Sequence, residues 1–233
     1  MFYLPDIAEN HILSEEESAH CIRVLRMQVG SFMDITDGKG MLYHTQLMEA
    51  HPKHCRVEIL SQEYLPKDVS KGRIEIAIAP TKNIDRTEWF VEKATEIGID
   101  SIVFLNCTHS ERKVVNMERI KKVAISAIKQ SLQYTLPSIR GIVEFRDFVS
   151  SCTSPIKCIA HCSQNEKRNP LKNYTQEGDI SILIGPEGDF SLEEIDLARR
   201  EGFSPISLGN NRLRTETAAL VACHTMNLLH SKE

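Results

Sequence analysis

The stretch from Ile182 to Ala219, ILIGPEGDFSLEEIDLARREGFSPISLGNNRLRTETAA, decides the fold. It reads as a short apolar strand, a glycine loop, a capped helix ending at Gly202, a second strand over Ile206 to Leu208, a polar loop and a last helix. Ser191-Leu192-Glu193-Glu194 is a capping box: the serine oxygen can accept from the third helical N–H while Glu194 reaches back. Thr215 can cap the final helix, to about Leu229. Strands that alternate with helices in this way predict a mostly parallel sheet with helices on both faces.

Working outward, the same alternation begins at Arg73. Ile74 to Ala79, Ser101 to Leu105, Lys157 to His161 and Ile180 to Ile184 read as strands. Asp85 to Ile97 and Asn116 to Leu132 read as helices. Before it the pattern is different. Ser14-Glu15-Glu16-Glu17 is a further capping box, with a helix to about Met27. Beyond Gly30 come β-forming runs, Phe32 to Thr36, Met41 to Met48 and Arg56 to Tyr64, separated by Asp37-Gly38-Lys39-Gly40 and by Pro52. The segment Leu65 to Gly72 lacks periodicity and carries both Pro and Gly. The expectation is therefore a small β-rich domain over 1–70 and an α/β domain over 73–233.

Composition bounds the function. The 233 residues can bury a sizeable core without staples. Seven cysteines form no Cys-x-x-Cys pair, which fits reduced thiols of a cytoplasmic protein better than a disulfide framework. Cys152, Cys158, His161 and Cys162 have the right donors for zinc but match no common ligand spacing, so no metal is expected. The N-terminus shows no signal-peptide pattern and no apolar run is long enough for a bilayer. Net charge is −4, unevenly spread: residues 1–70 hold six Lys/Arg against eleven Asp/Glu, and the remainder 22 against 21. Basic groupings at Arg23 and Arg26, at Arg112 to Lys122, and at Arg212 and Arg214 can be solvated faces or nucleic-acid contacts.

In open parallel sheets ligands bind beyond the carboxyl ends of the strands. Two loops at that edge have unusual chemistry. Gly185-Pro186-Glu187-Gly188-Asp189-Phe190 can bring backbone N–H and C=O groups against a flat heterocycle, or it can be a tight turn into a capped helix. Leu208-Gly209-Asn210-Asn211-Arg212-Leu213-Arg214 places two guanidinium groups ahead of a helix, as ligand contacts or as surface charges. Neither matches a dinucleotide fingerprint or a phosphate loop.

These residues resemble the RsmE family of 16S ribosomal RNA uridine-N3 methyltransferases, within the knotted SPOUT class. The resemblance covers essentially the whole chain. It is carried by Leu183 to Gly188, by Leu213-Arg214-Thr215-Glu216-Thr217-Ala218, and by Lys82-Asn83-Ile84-Asp85-Arg86-Thr87-Glu88-Trp89 continuing through Lys93 to Gly98. His20 to Arg26, Gly30, Asp37-Gly38, Ser110-Glu111-Arg112 and Gln130-Ser131 add to it. The chain departs from the family pattern at Asn211, where many members have Arg, at Asp189, which replaces a common Gly, and at Met1-Phe2-Tyr3, which lacks a preceding Arg.

The resemblance implies a PUA-like RNA-binding domain followed by a methyltransferase domain whose last segment threads a trefoil knot. It implies a homodimer with each active site at the subunit interface, acting on 16S rRNA in the small ribosomal subunit. It further implies S-adenosyl-L-methionine held by Ala160 and His161, by Ile184, Gly185, Pro186, Glu187 and Gly188, and by Leu208, Gly209, Leu213 and Thr215. Loss of the uracil N3 proton places charge on O2 and O4, which a guanidinium would stabilise; Arg214 is the expected catalytic residue. Glu187, Glu216 and solvent are candidates for the base. Arg23, Arg26, Lys82, Arg86 and Arg112 are the expected RNA contacts. Two other functions compete. A non-catalytic RNA-binding or ribosome-assembly factor would not need intact glycine loops and Arg214. A SPOUT methyltransferase acting on ribose 2′-O of transfer RNA would carry an Asn-x-Gly-type first motif, absent here.

Overall fold

The computed structural model describes residues 1–70, 72–162, 168–174 and 177–230. Lys71, inside the expected boundary segment, lies outside the described residues. The chain divides into two compact units, one of Met1–Asp68 with Ile125–Leu136, the other of Val69–Ala124 with Pro137–Glu233. The segment Ile125–Leu136, placed by its sequence pattern with the α/β part, clusters with the first unit.

The first unit holds a four-stranded sheet in the order β1 (Phe2–Tyr3), β2 (Phe32–Thr36), β3 (Met41–Glu49), β4 (Arg56–Tyr64). The β1–β2 pair is parallel and the others are antiparallel. Alternation sends Met33 and Ile35 inward with Leu47 and Val57, onto a core that includes Ile7, Leu13 and Cys21. The β2–β3 turn is held by Asp37, whose Oδ1 accepts from Lys39 N at 2.7 Å. Gly40 N donates to Tyr134 O and Leu136 N to Gly38 O, both at 2.8 Å, which is how 134–136 joins this unit.

Ser14 does cap α1 (Glu15–Ala19), accepting from Glu17 N at 3.2 Å. The reciprocal half of the predicted box is missing, because the buried Glu17 carboxylate instead takes the Lys129 ammonium. Nor does the helix run on to Met27: one turn of π-helix over His20–Val24 follows, and Arg26 takes φ +54°.

The second unit carries a seven-stranded, all-parallel sheet in the order β7 (Ser138–Glu144), β6 (Ser101–Asn106), β5 (Ile74–Ile78), β10 (Ile180–Ile184), β8 (Ile156–Ala160), β11 (Ser204–Ser207), β9 (Asn169–Pro170). The central strands IEIAI, ISILI and IKCIA read as near-continuous apolar runs because helices cover both faces. On one face α4 (Phe145–Ser151) and α5 (Leu192–Arg200) bury Phe145, Phe148 and Ile195 against Ala77, Val103, Ile159 and Leu183. Elsewhere α6 (Thr215–His230) packs on β5, β10 and α2 (Ile84–Ile97). α3 (Met117–Ser131) completes the helices. The polar exceptions in the sheet are paired: Glu75 accepts from Ser181 at 2.6 Å and from Ser101 at 2.9 Å. No described helix is long and apolar enough to cross a membrane.

Candidate functional site

Register sets the site. Ile184 at the end of β10 is level with Ile78 of β5 and Ala160 of β8, and Ala160 is level with Ile206 of β11. The loops leaving these strands therefore start from one edge, the edge where open parallel sheets place ligands. Between three of them lies a cavity of about 400 Å³, within the roughly 300–1,000 Å³ typical of small-molecule sites.

The β8 loop gives Ala160 and Cys162 to its wall; the β10 loop gives Ile184, Gly185, Pro186, Glu187 and Asp189; the β11 loop and α6 give Arg212, Leu213, Arg214, Thr215 and Ala218. Of the expected cofactor residues, Ala160, Ile184, Gly185, Pro186, Glu187, Leu213 and Thr215 meet here, with Arg214 beside them. His161, Gly188, Leu208 and Gly209 do not line the cavity. His161 is buried, and its carbonyl accepts from Arg168 at 2.7 Å. A Cβ on Gly188 would come within 3.1 Å of His109, so that glycine serves close packing behind the loop. Gly209, at φ +135°, sits in a turn with Ser207, whose Oγ donates to its carbonyl at 3.1 Å.

The loops are locked to one another by hydrogen bonds. Thr215, expected to cap α6, is its first residue, and its buried hydroxyl donates to Gly185 O at 3.1 Å, joining the β11 and β10 loops. Asp189, left-handed at φ +66°, accepts from Cys162 N at 2.8 Å and so fastens the β8 loop to the β10 loop. Glu187 accepts from Lys82 N at 2.9 Å. Behind them the Ser191–Glu194 capping box of α5 is complete, and Glu194 also accepts from Thr108 N at 2.8 Å. Gly185 is closely packed, since a Cβ there would lie 3.1 Å from the Phe190 ring, which would have to shift by a few tenths of an ångström. The ordinary-turn reading of Gly185 to Phe190 accounts for the capped helix but not for these bonds between loops.

Sequence reading missed four lining residues: Cys162, Asp189, Arg212 and Ala218. Ala218 could have been found from helical periodicity, one turn beyond Arg214 on the same face. Arg214 and Arg212 are exposed, and neither has a carboxylate partner among the described residues. The carboxylates considered as bases differ in place. Glu187 lines the cavity; Glu216 does not, being buried 3.8 Å from Arg86 Nε.

Of the expected RNA contacts, Arg23 and Arg26 belong to the first unit and Lys82, Arg86 and Arg112 to the second. Lys82 pairs with Glu111 at 2.7 Å, which raises the lysine pKa. Arg112 gives its guanidinium to the carbonyls of Thr81 and Lys82, at 3.0 and 2.6 Å, and so braces the loop after β5. Among the described residues no group of three or more His, Cys, Asp or Glu could hold a metal ion.

Comparison with known proteins joins this geometry to a family. Residues 68–227 match the model for an RNA methyltransferase domain, and residues 13–60 match an RNA methyltransferase PUA domain. The ribosomal RNA small subunit methyltransferase E of Synechocystis is 30% identical over 215 residues, covering 89% of this chain and 69% of its own. A crystal structure of a "probable rRNA-methyltransferase" from Porphyromonas gingivalis is 42% identical, with TM-score 0.92 over 98% of this chain and 97% of that one. A ribosomal RNA small subunit methyltransferase E from Neisseria gonorrhoeae, bound to S-adenosylmethionine, is 27% identical, with TM-score 0.80 over 98% and 96%. The chain belongs to the RNA methyltransferase family, in the branch of the ribosomal RNA small subunit methyltransferase E enzymes, its α/β methyltransferase domain preceded in sequence by a PUA domain.

Proposed function

We propose that this protein methylates N3 of one specific uridine in the 16S RNA of the small ribosomal subunit, using S-adenosyl-L-methionine. The observation that carries this reading is the cavity of about 400 Å³ in which three strand-end loops meet, with Arg214 on its wall. The residues fit the cofactor. Ile184, Pro186, Leu213 and Ala218 offer apolar surface for a flat purine, and the close-packed backbone at Gly185 offers main-chain polar groups to its edge.

When bound, S-adenosylmethionine supplies a methyl group already activated by its sulfonium. The protein's work is alignment and charge. The loops, fixed to one another through Thr215, Asp189 and Glu187, hold one geometry in which donor and acceptor can be brought into line. Arg214 stabilises the negative charge on uracil O2 and O4 as the N3 proton leaves. Of the candidate bases, Glu187 and solvent are at the cavity; Glu216 is not. Because N3 lies on the Watson–Crick edge, the target base must be unpaired before reaction.

The domain assignment proposed is a PUA-like RNA-binding domain over 1–70 and the methyltransferase domain over 73–233, with α6 as the threaded segment. Phosphate contact falls first to Arg23 and Arg26, which have no acidic partner among the described residues, while Lys82, Arg86 and Arg112 are engaged within their own unit. A homodimer is proposed as the working state. It is what the resemblance to the family implies.

The test is Arg214→Ala. It is expected to bind S-adenosylmethionine as the wild type does, by calorimetry, while single-turnover transfer to 16S RNA falls by about 10²–10³-fold. Near-native transfer would remove Arg214 from the mechanism.

A further inference from the structure

The first 70 residues carry a net charge of −5, an unfavourable balance for a domain that is to hold RNA. The charge is segregated along the chain. Between Glu17 and Asp34 no carboxylate occurs, and Arg23 and Arg26 stand in that window. The same window shows a concentration of exposed apolar side chains: Val24 at 64%, Leu25 at 51%, Val29 at 62% and Phe32 at 71%. Scattered apolar residues on a surface need no explanation; four within nine positions, interleaved with the only cations of the window, do.

This is no loose loop. Leu25 N donates to His20 O at 3.0 Å and Met27 N to Cys21 O at 3.1 Å, folding the segment back after the π-helical turn. Gly30 N donates to Leu47 O and Leu47 N to Ser31 O, pinning it to β3. Arg26 is held at φ +54°, a conformation arginine seldom adopts, which persists only when its surroundings impose it. Phe32 projects from β2 on the outward side, opposite the buried Met33. Its nearest acidic neighbour along that face, Asp34, is bound to His44 at 2.7 Å.

We propose that residues 23–32 form a docking surface for an unstacked nucleotide of the substrate RNA. Phe32 gives a ring on which a base stacks, Val24, Leu25 and Val29 shield it from water, and Arg23 and Arg26 take the adjoining phosphates. A ring flanked by cations fits RNA, whose bases have π-faces and whose backbone is anionic, better than an apolar protein partner. The proposal rests on the reading of the protein as an RNA methyltransferase and adds how an acidic domain grips its substrate.

The experiment measures binding of wild type, Phe32→Ala, Phe32→Tyr and Arg23→Ala/Arg26→Ala to an unstructured RNA oligonucleotide and to an RNA duplex, across a salt series. Methyl transfer to 16S RNA is assayed in parallel. Phe32→Ala is expected to weaken single-strand binding by roughly 5- to 150-fold with the salt slope unchanged, and to leave duplex binding alone. Phe32→Tyr keeps the ring and should bind as wild type. The double arginine variant should lose about two from the salt slope. Equal single-strand binding by Phe32→Ala and wild type, in a protein that does transfer methyl, overturns this surface. Dissociation of an oligomer by Phe32→Ala, with RNA binding intact, overturns it in favour of a second copy. Absence of methyl transfer by the wild type would instead overturn the parent reading.

Discussion

Asp189 shows how much of a site one backbone conformation can decide. Its φ of +66° is one that glycine adopts freely and most side chains do not. Aspartate tolerates left-handed backbone better than most residues, and here its carboxylate also takes Cys162 N and Phe190 N, at 2.8 and 2.9 Å. Two substitutions separate strain from bonding. Asp189→Ala loses the bonds and keeps the strain; Asp189→Gly loses the bonds and relieves it. By denaturant unfolding the glycine variant should be the more stable by about 1–2 kcal/mol, and equal stability would show that the φ is not imposed on the chain. At this scale a place on the cavity wall was legible where the signal is local, as at Gly185 and Arg214. It was not legible where a residue acts through a neighbour distant in sequence. The Cys162–Asp189 bond spans 27 positions, and no spacing rule reaches that far.

Elements were readable in proportion to how strongly their pattern was written. The buried runs Ile74 to Ile78 and Ile180 to Ile184, and the box at Ser191–Glu194, leave little choice of structure. β7 and α4 went unseen, because β7 is a half-exposed edge strand broken by Arg140 and Gly141, and the seven-residue α4 has no side-chain cap. Thr215 is the first residue of α6 rather than the residue before it, and its hydroxyl donates to a tertiary acceptor, Gly185 O. Thr215→Val keeps the shape and removes the donor, leaving a buried carbonyl without that partner. A loss of about 1–3 kcal/mol in stability is expected, together with weaker S-adenosylmethionine binding by calorimetry; unchanged values for both would show that the bond does not fix the loop.

The β2–β3–β4 face carries a pH dependence. Asp34 and Glu63 hold His44 at 2.7 and 3.2 Å and raise its pKa above 6.5. With the folded pKa raised, the stabilising contribution is fully present below the unfolded value, near pH 6.5, and is lost as pH rises through the folded value. The melting-temperature gap between wild type and His44→Gln should therefore be widest in mild acid and close toward alkaline pH. A gap that grows with pH contradicts the pairing.

At the scale of the whole molecule, the α/β class and the β-rich start were open to pattern reading, because periodicity reports them residue by residue. The knot that the family resemblance implies is not, since threading is a property of the entire path and chain rules count it as nearly absent. The clustering of Ile125–Leu136 with the first unit was hidden for a similar reason, as α3 reads as one uninterrupted helix. The central claim is that the cavity and Arg214 serve methyl transfer to uracil N3. It is tested most directly by incubating unmethylated small ribosomal subunits with the purified protein and S-adenosylmethionine, then mapping the product by mass spectrometry of 16S RNA digests. One 3-methyluridine at a single position is expected, formed about 10²–10³-fold more slowly by Arg214→Ala. A methyl group found on a ribose 2′-oxygen or on transfer RNA, or no transfer despite tight S-adenosylmethionine binding, would contradict the account.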